Sequence, residues 1–251
     1  MQVRLIAKTT GYEGTEYEGK SLDEITVGIA RLSSSREVNE LFEEPYKLIR
    51  HCLLNGHWSV FATTNLVFEI ITSRAMGREL LRHWSIRPQE LSQRYAQIIS
   101  FEDIEIRKQA ITNRQSSTEA FDPDLFGVEY KASQAIATHM KDTVALYEEL
   151  LDKGASRETA RMILPETTQT KLIMNGTLRE WITTMNQRLH KTAQKEVRLP
   201  TETIQSWFMK ECPVITKALY NFEDAYEIHL LERLVLEKYK VYPLVKQQLG
   251  I

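Results

Sequence analysis

Apolar and polar residues alternate from Val3 to Thr10, which predicts a strand. The period then lengthens, and Leu22 to Leu32 reads as a helix opened by Ser21 and Glu24 at capping-box spacing. A longer helix is expected after Ser35, with Val38, Leu41, Phe42, Tyr46, Leu48, Ile49, Cys52 and Leu53 on its apolar face and Gly56 as its stop. Thr64 to Thr72 is rich in β-formers and predicts a second strand. From Ser73 to about Trp84 the pattern is helical, with Arg74, Arg78 and Arg82 recurring along one side. Pro88 breaks the next stretch, Tyr95 to Arg107 resumes β-like alternation, and Asn113 to Pro123 reads as a long polar loop.

In the second half, helices are expected from Val128 to Leu151, ending at Gly154, and from Ser156 to a stop at Pro165. Thr167 to Met174 reads as a strand, and helical segments follow over Thr177 to His190, Thr201 to Lys210 and Val214 to about Lys238. Strands and helices mixed without regular βαβ alternation predict an α+β fold. No repeat interrupts the chain, so one domain is expected over residues 1–251.

Composition narrows the function classes. A 251-residue chain with 42% hydrophobic and 26% charged residues can bury one substantial core. A formal charge of -2 argues against a nucleic-acid coat or a membrane-surface protein, so small-molecule partners are expected. The only cysteines, Cys52 and Cys212, lie far apart in no paired spacing, which argues against a disulfide framework and fits a reducing cytoplasm. Met1 to Thr10 lacks the features of a signal peptide, and no apolar run approaches a membrane span.

Two patterns invite chemistry they do not support. Gly14, Gly19, Lys20 and Ser21 match a phosphate-binding loop, but Glu16 and Glu18 lie inside it, where carboxylates repel phosphate. Ser21 as a helix cap explains the same letters. His51, Cys52 and His57 match no common metal-ligand spacing, and Cys52 falls on the apolar face of its helix.

The informative stretch is Arg82-His83-Trp84-Ser85-Ile86-Arg87-Pro88-Gln89-Glu90-Leu91-Ser92-Gln93-Arg94-Tyr95, a basic helix end that runs through a polar loop to another arginine. Guanidinium forks bind phosphate oxygens, a serine adds a donor, and a carboxylate accepts from a base or a sugar hydroxyl. A solvated helix face with an internal Arg–Glu pair accounts for the same charges. Further arginines, Arg157 and Arg161 one helical turn apart and Arg179 and Arg188 flanking Trp181, recur in helices bounded by Pro165 and Asn175-Gly176.

The sequence resembles the flavin-dependent thymidylate synthase family, whose signature is an Arg-His-Arg triplet, seven residues and a serine. Here it reads Arg82-His83-Trp84, seven residues, Ser92. Ala30 to Ser33, Asn55 to His57, Gln89 to Ser92, Arg94-Tyr95, Ala160-Arg161 with Leu164-Pro165, Arg188, Ala193-Gln194 with Glu196, and Glu211 to Pro213 follow in the family's order.

The resemblance implies a mainly antiparallel sheet flanked by helices plus a helical segment, assembled as a homotetramer with sites between subunits. It implies methylation of dUMP to dTMP with FAD, NADPH and the folate methylene-tetrahydrofolate. Ser33, Ser59, Arg82, His83, Trp84, Glu90, Thr177, Leu178, Arg179 and Thr183 match the family's flavin contacts. Glu79, Leu80, Leu81 and Arg82, then Glu90, Leu91, Ser92, Gln93 and Arg94, with Arg161 and Arg188, match its dUMP contacts. Arg188 is expected near the uracil ring as the catalytic residue, favouring the ionised base.

The chain departs from the pattern at Trp84, where Arg is usual, at Glu79, where an amide is familiar, and at Thr177 and Thr183, where Asn or His is common. A related pyrimidine hydroxymethylase, and a non-catalytic nucleotide-binding protein on the same scaffold, are the rival readings.

Overall fold

The computed structural model describes residues 1–32, 40–96 and 99–220. In chain order the elements are β1 (Gln2–Lys8), α1 (Leu22–Arg31), α2 (Pro45–Leu54), β2 (Asn65–Ser73), α3 (Arg74–Leu81), β3 (Arg87–Glu90), β4 (Arg107–Gln109) and β5 (Ser117–Ala120). They continue with α4 (Ala132–Asp152), α5 (Arg157–Ala160), β6 (Gln169–Thr177), α6 (Leu178–Arg188), α7 (Lys195–Glu211) and α8 (Pro213–Tyr220). A short 3-10 helix, Trp58–Ala62, precedes β2.

A four-stranded sheet in the order β1-β2-β6-β3 has every neighbouring pair antiparallel, as an α+β fold of this kind requires. Period-2 alternation sorts its central strands: Leu66, Phe68 and Ile70 of β2 and Leu172 and Met174 of β6 are fully buried, while Lys171 and Asn175 face outward. The buried face meets α3, α6 and α7, with α1, α2 and α8 completing the core. Trp181 of α6 anchors this contact, its indole N–H donating to the Leu66 carbonyl at 3.0 Å and its ring edge-on to Phe68 at 5.0 Å. The close approach needs glycine at 176, because a Cβ there would lie 3.0 Å from the Trp181 indole and 3.1 Å from Ile86.

The expected α1 and its capping box are present, with Ser21 and Glu24 bonding each other's backbone. The glycine loop before it is closed on its own carboxylates: the Gly14 N–H donates to Glu18 at 2.8 Å and Lys20 reaches Glu24 at 3.4 Å. It is a turn, not a phosphate cradle. Cys52 is core, and no cluster of three metal-ligating side chains occurs among the described residues.

Several boundaries differ from the sequence expectation. Within the helix expected after Ser35, a helix boundary falls at Pro45: Glu44 has a left-handed backbone (φ 40), and proline is accepted in the first turn of α2. It ends as expected at Gly56, which has φ 69. Pro88 sits inside β3, where it costs no ladder bond because β3 is an edge strand. Among the described residues of Tyr95 to Arg107 there is no continuous strand: Phe101 forms an isolated bridge to Thr168, and Arg107 opens β4 opposite Ala120. Conversely, the expected polar loop contains β5, which folds back on β4 as a separate two-stranded hairpin. α7 starts at Lys195 rather than Thr201 and carries Pro200 buried inside it. Residue 33, the start of the helix after Ser35, and the segment beyond Tyr220 lie outside the described residues.

Candidate functional site

Two strand-to-helix transitions build the site. Ser73 ends β2 and caps α3, and Thr177 ends β6 and caps α6 in a reciprocal box with Glu180 at 2.7 and 3.3 Å. Because β2 and β6 are antiparallel, these two caps lie at opposite ends of the sheet. The helices run back over it and meet at their C-terminal ends. Cations are favoured there by the helix dipoles, and Arg82 and Arg188 occupy the two ends.

Arg188 is clamped in that junction. Its Nε donates to His83 Nε2 at 2.8 Å, Nη1 to the Glu79 carboxylate at 2.9 Å, and Nη2 to the Glu79 carbonyl at 2.7 Å. Arg82 pairs with the same carboxylate at 3.1 Å. The bond from Arg188 requires His83 to be neutral with its proton on Nδ1. Burial first, and the Arg188 guanidinium second, hold the His83 pKa down at about 4. Glu79 is thereby an internal counter-ion to Arg188 as well as a residue of the expected substrate contacts.

A second group forms where β3 and the loop after it meet β6 and the start of α3. Glu90 accepts from the Thr170 hydroxyl at 2.8 Å and lies 3.9 Å from Arg74, which also donates to the Gln93 side-chain oxygen at 3.1 Å. With its oxygen so engaged, the buried Gln93 amide keeps an unpartnered Nε2. A third group joins the loop after β3 to α5: Arg94 pairs with Glu158 at 3.3 Å, Arg161 donates to the Glu158 carbonyl at 3.4 Å, and Arg157 holds the Tyr95 carbonyl at 2.9 Å. The Ser92 hydroxyl accepts the Arg94 N–H at 3.3 Å.

The remaining expected positions fall apart in character. Leu80 and Leu178 are fully buried in the core, so their part in any site is confined to the main chain, and Leu81 and Leu91 are half-buried. Arg179, Thr183 and Ser59 are exposed, and Thr183 spends its hydroxyl proton on the Arg179 carbonyl. The Trp84 indole is 91% exposed beside the exposed Arg82. Ser59 lines a cleft of about 570 Å³ with Arg31, Lys47, His51 and His57. The sequence reading missed two organisers, Arg74 and Thr170. The arginine stripe contained the first, and inward alternation along β6 would have singled out the second.

Residues 15–214 match the family described as thymidylate synthase complementing protein. The chain belongs to this family. A flavin-dependent thymidylate synthase from Synechocystis is 36% identical over 219 residues, covering 87% of this chain and 99% of the relative. A probable flavin-dependent thymidylate synthase from Paramecium bursaria Chlorella virus 1 is 35% identical, covering 68% of this chain and 79% of its own. Among solved structures, the UMP/dUMP methylase PolB from Streptomyces cacaoi, crystallised with 5-Br dUMP, superposes with a TM-score of 0.69 at 21% identity over 88% of this chain and 95% of that one. The thymidylate synthase complementing fold is therefore the scaffold on which the three arginine groups stand.

Proposed function

We propose that this chain methylates dUMP to dTMP as a flavin-dependent thymidylate synthase, with methylene-tetrahydrofolate as carbon donor and NADPH as reductant. The observation that carries this reading is Arg188 held by three hydrogen bonds between Glu79 and His83, in a chain of this family. A guanidinium fixed in that way keeps its charge and offers its remaining N–H groups to the uracil ring. It favours the anionic base and makes carbon 5 nucleophilic. His83, being neutral, does not compete with Arg188 for that negative charge.

Glu90, oriented by Thr170, accepts from the nucleoside, and Ser92, Arg94 and Arg161 take the phosphate. Arg94 rests on the Glu158 carboxylate and Arg161 on the Glu158 carbonyl, so an anion that displaces the carboxylate from Arg94 meets both cations. No thiol is placed to attack the pyrimidine: Cys212 is fully buried, and burial pushes its pKa well up.

The residues present fit FAD. The Trp84 indole offers an exposed flat surface, and exposed Arg82 and Arg179 offer cations for a diphosphate. When bound, FAD supplies the hydride that completes the methyl group. The exposed side chains of Trp84, Tyr95 and Met162, which follow Arg82, Arg94 and Arg161 closely in the chain, fit a homotetramer in which subunits complete each other's sites. The test is whether purified protein carries a flavin spectrum and forms dTMP from dUMP, NADPH and methylene-tetrahydrofolate. A colourless protein, inactive even with added FAD, overturns the proposal.

A further inference from the structure

The β4–β5 hairpin and the turn that opens α7 enclose a cavity of about 150 Å³, the volume of roughly five waters. Ser116, Ser117, Thr118, Lys191, Thr192 and Arg198 line it. The Arg198 Nε is sealed from solvent with no acceptor, and among the described residues neither Arg198 nor Lys191 has an ion-pair partner. Lys191 is exposed and Arg198 half-buried, so the costly group is the buried Nε without an acceptor, and a bound anion supplies one.

Charge and donors agree on the ligand. Arg107 is matched by Glu105 and Glu196, and Lys195 by Glu105 at 2.6 Å, so these two cations and two carboxylates offset each other. Lys191 and Arg198 remain as a surplus of two positive charges. The Ser117 oxygen already accepts from Arg107 at 2.8 Å and the Ser116 oxygen from Asn113 at 2.9 Å, which leaves both hydroxyl protons available to donate. The first turn of α7 has no side-chain cap, and its Val197 and Arg198 N–H groups bond the Gln194 carbonyl at 3.1 Å, so the ligand's donors come from the side chains.

We propose that this cavity is a phosphate-binding subsite, sharing no residue with the Glu79–Arg188 group, for the dinegative phosphate of a small phosphorylated ligand. The test is thermal unfolding of the full chain with saturating dUMP, comparing 10 mM inorganic phosphate with chloride of equal ionic strength. Phosphate is expected to raise the Tm by about 3 °C in the native chain. The rise should vanish in Arg198→Gln and shrink by about half in Lys191→Gln, with dTMP formation and circular dichroism unchanged. Should Arg198→Gln not fold, Lys191→Gln combined with Ser117→Ala carries the test. Ribose 5-phosphate separates the sources: a larger rise assigns a phosphomonoester, and a rise with inorganic phosphate alone assigns the free anion. No rise above chloride, or a rise that survives in the variants, overturns the proposal.

Discussion

His83→Gln is the most informative single change to the Arg188 junction. The glutamine oxygen can still accept from Arg188 Nε, but it does not titrate. In the native chain, protonating His83 would set an N–H against the Arg188 N–H and place two cations together. Its folded pKa of about 4 lies below the unfolded 6.5, so the unfolded chain binds more protons between these values. Stability from His83 is therefore present above pH 6.5 and is lost as pH falls toward 4. The full shift corresponds to about 3 kcal/mol, and partial solvent screening reduces it to roughly 1–2 kcal/mol. Urea unfolding of the native chain and His83→Gln at pH 7 and pH 5 measures this term as a difference. The native chain should lose about 1 kcal/mol relative to the variant on acidification. An unchanged difference would refute a neutral His83 bonded to Arg188.

Arg188→Ala should lower dTMP formation at least a hundredfold, a loss of about 3 kcal/mol at the transition state, with the fold retained by circular dichroism. Full activity there would remove the role given to Arg188. Asp23, buried and accepting from the Val214 and Ile215 N–H groups at the start of α8, has its pKa raised by burial to about 6. Its folded state holds the proton more tightly, so stability falls as pH rises from 3.8 to about 6. The native chain should therefore be more stable relative to Asp23→Asn at pH 4 than at pH 7 in denaturant titrations. Gly176→Ala should cost roughly 1–3 kcal/mol by overpacking, read as a lower Tm, since Trp181 is held by its bond to Leu66 and cannot give way.

Period and caps made the scaffold legible. Ser21, Ser73 and Thr177 start their helices by side-chain oxygens that are visible as letters, and β2 and β6 show their inward faces as alternation. The β-like alternation of Tyr95 to Arg107 finds no continuous partner among the described residues, whereas β5, in the expected Asn113 to Pro123 loop, is polar and is held by pairing across a hairpin. The α7 start was hidden by Pro200, a breaker that the helix tolerates within its first two turns.

For the site, the arginine stripe was legible but its division of labour was not. Arg74 goes to Gln93 and Glu90, Arg78 to Glu166 and Arg82 to Glu79. Glu79, which stood out in the sequence as a departure adding negative charge, became intelligible only when α6 brought Arg188 against it. Contacts between residues 109 apart in sequence carry no local periodicity.

The central claim is tested most directly by incubating the purified chain with dUMP, methylene-tetrahydrofolate, FAD and NADPH and identifying the nucleotide product by mass. The account predicts flavin-dependent accumulation of dTMP that ceases when dUMP or the folate is withheld. A product halted at 5-hydroxymethyl-dUMP, or unaltered dUMP with no bound flavin, would contradict it.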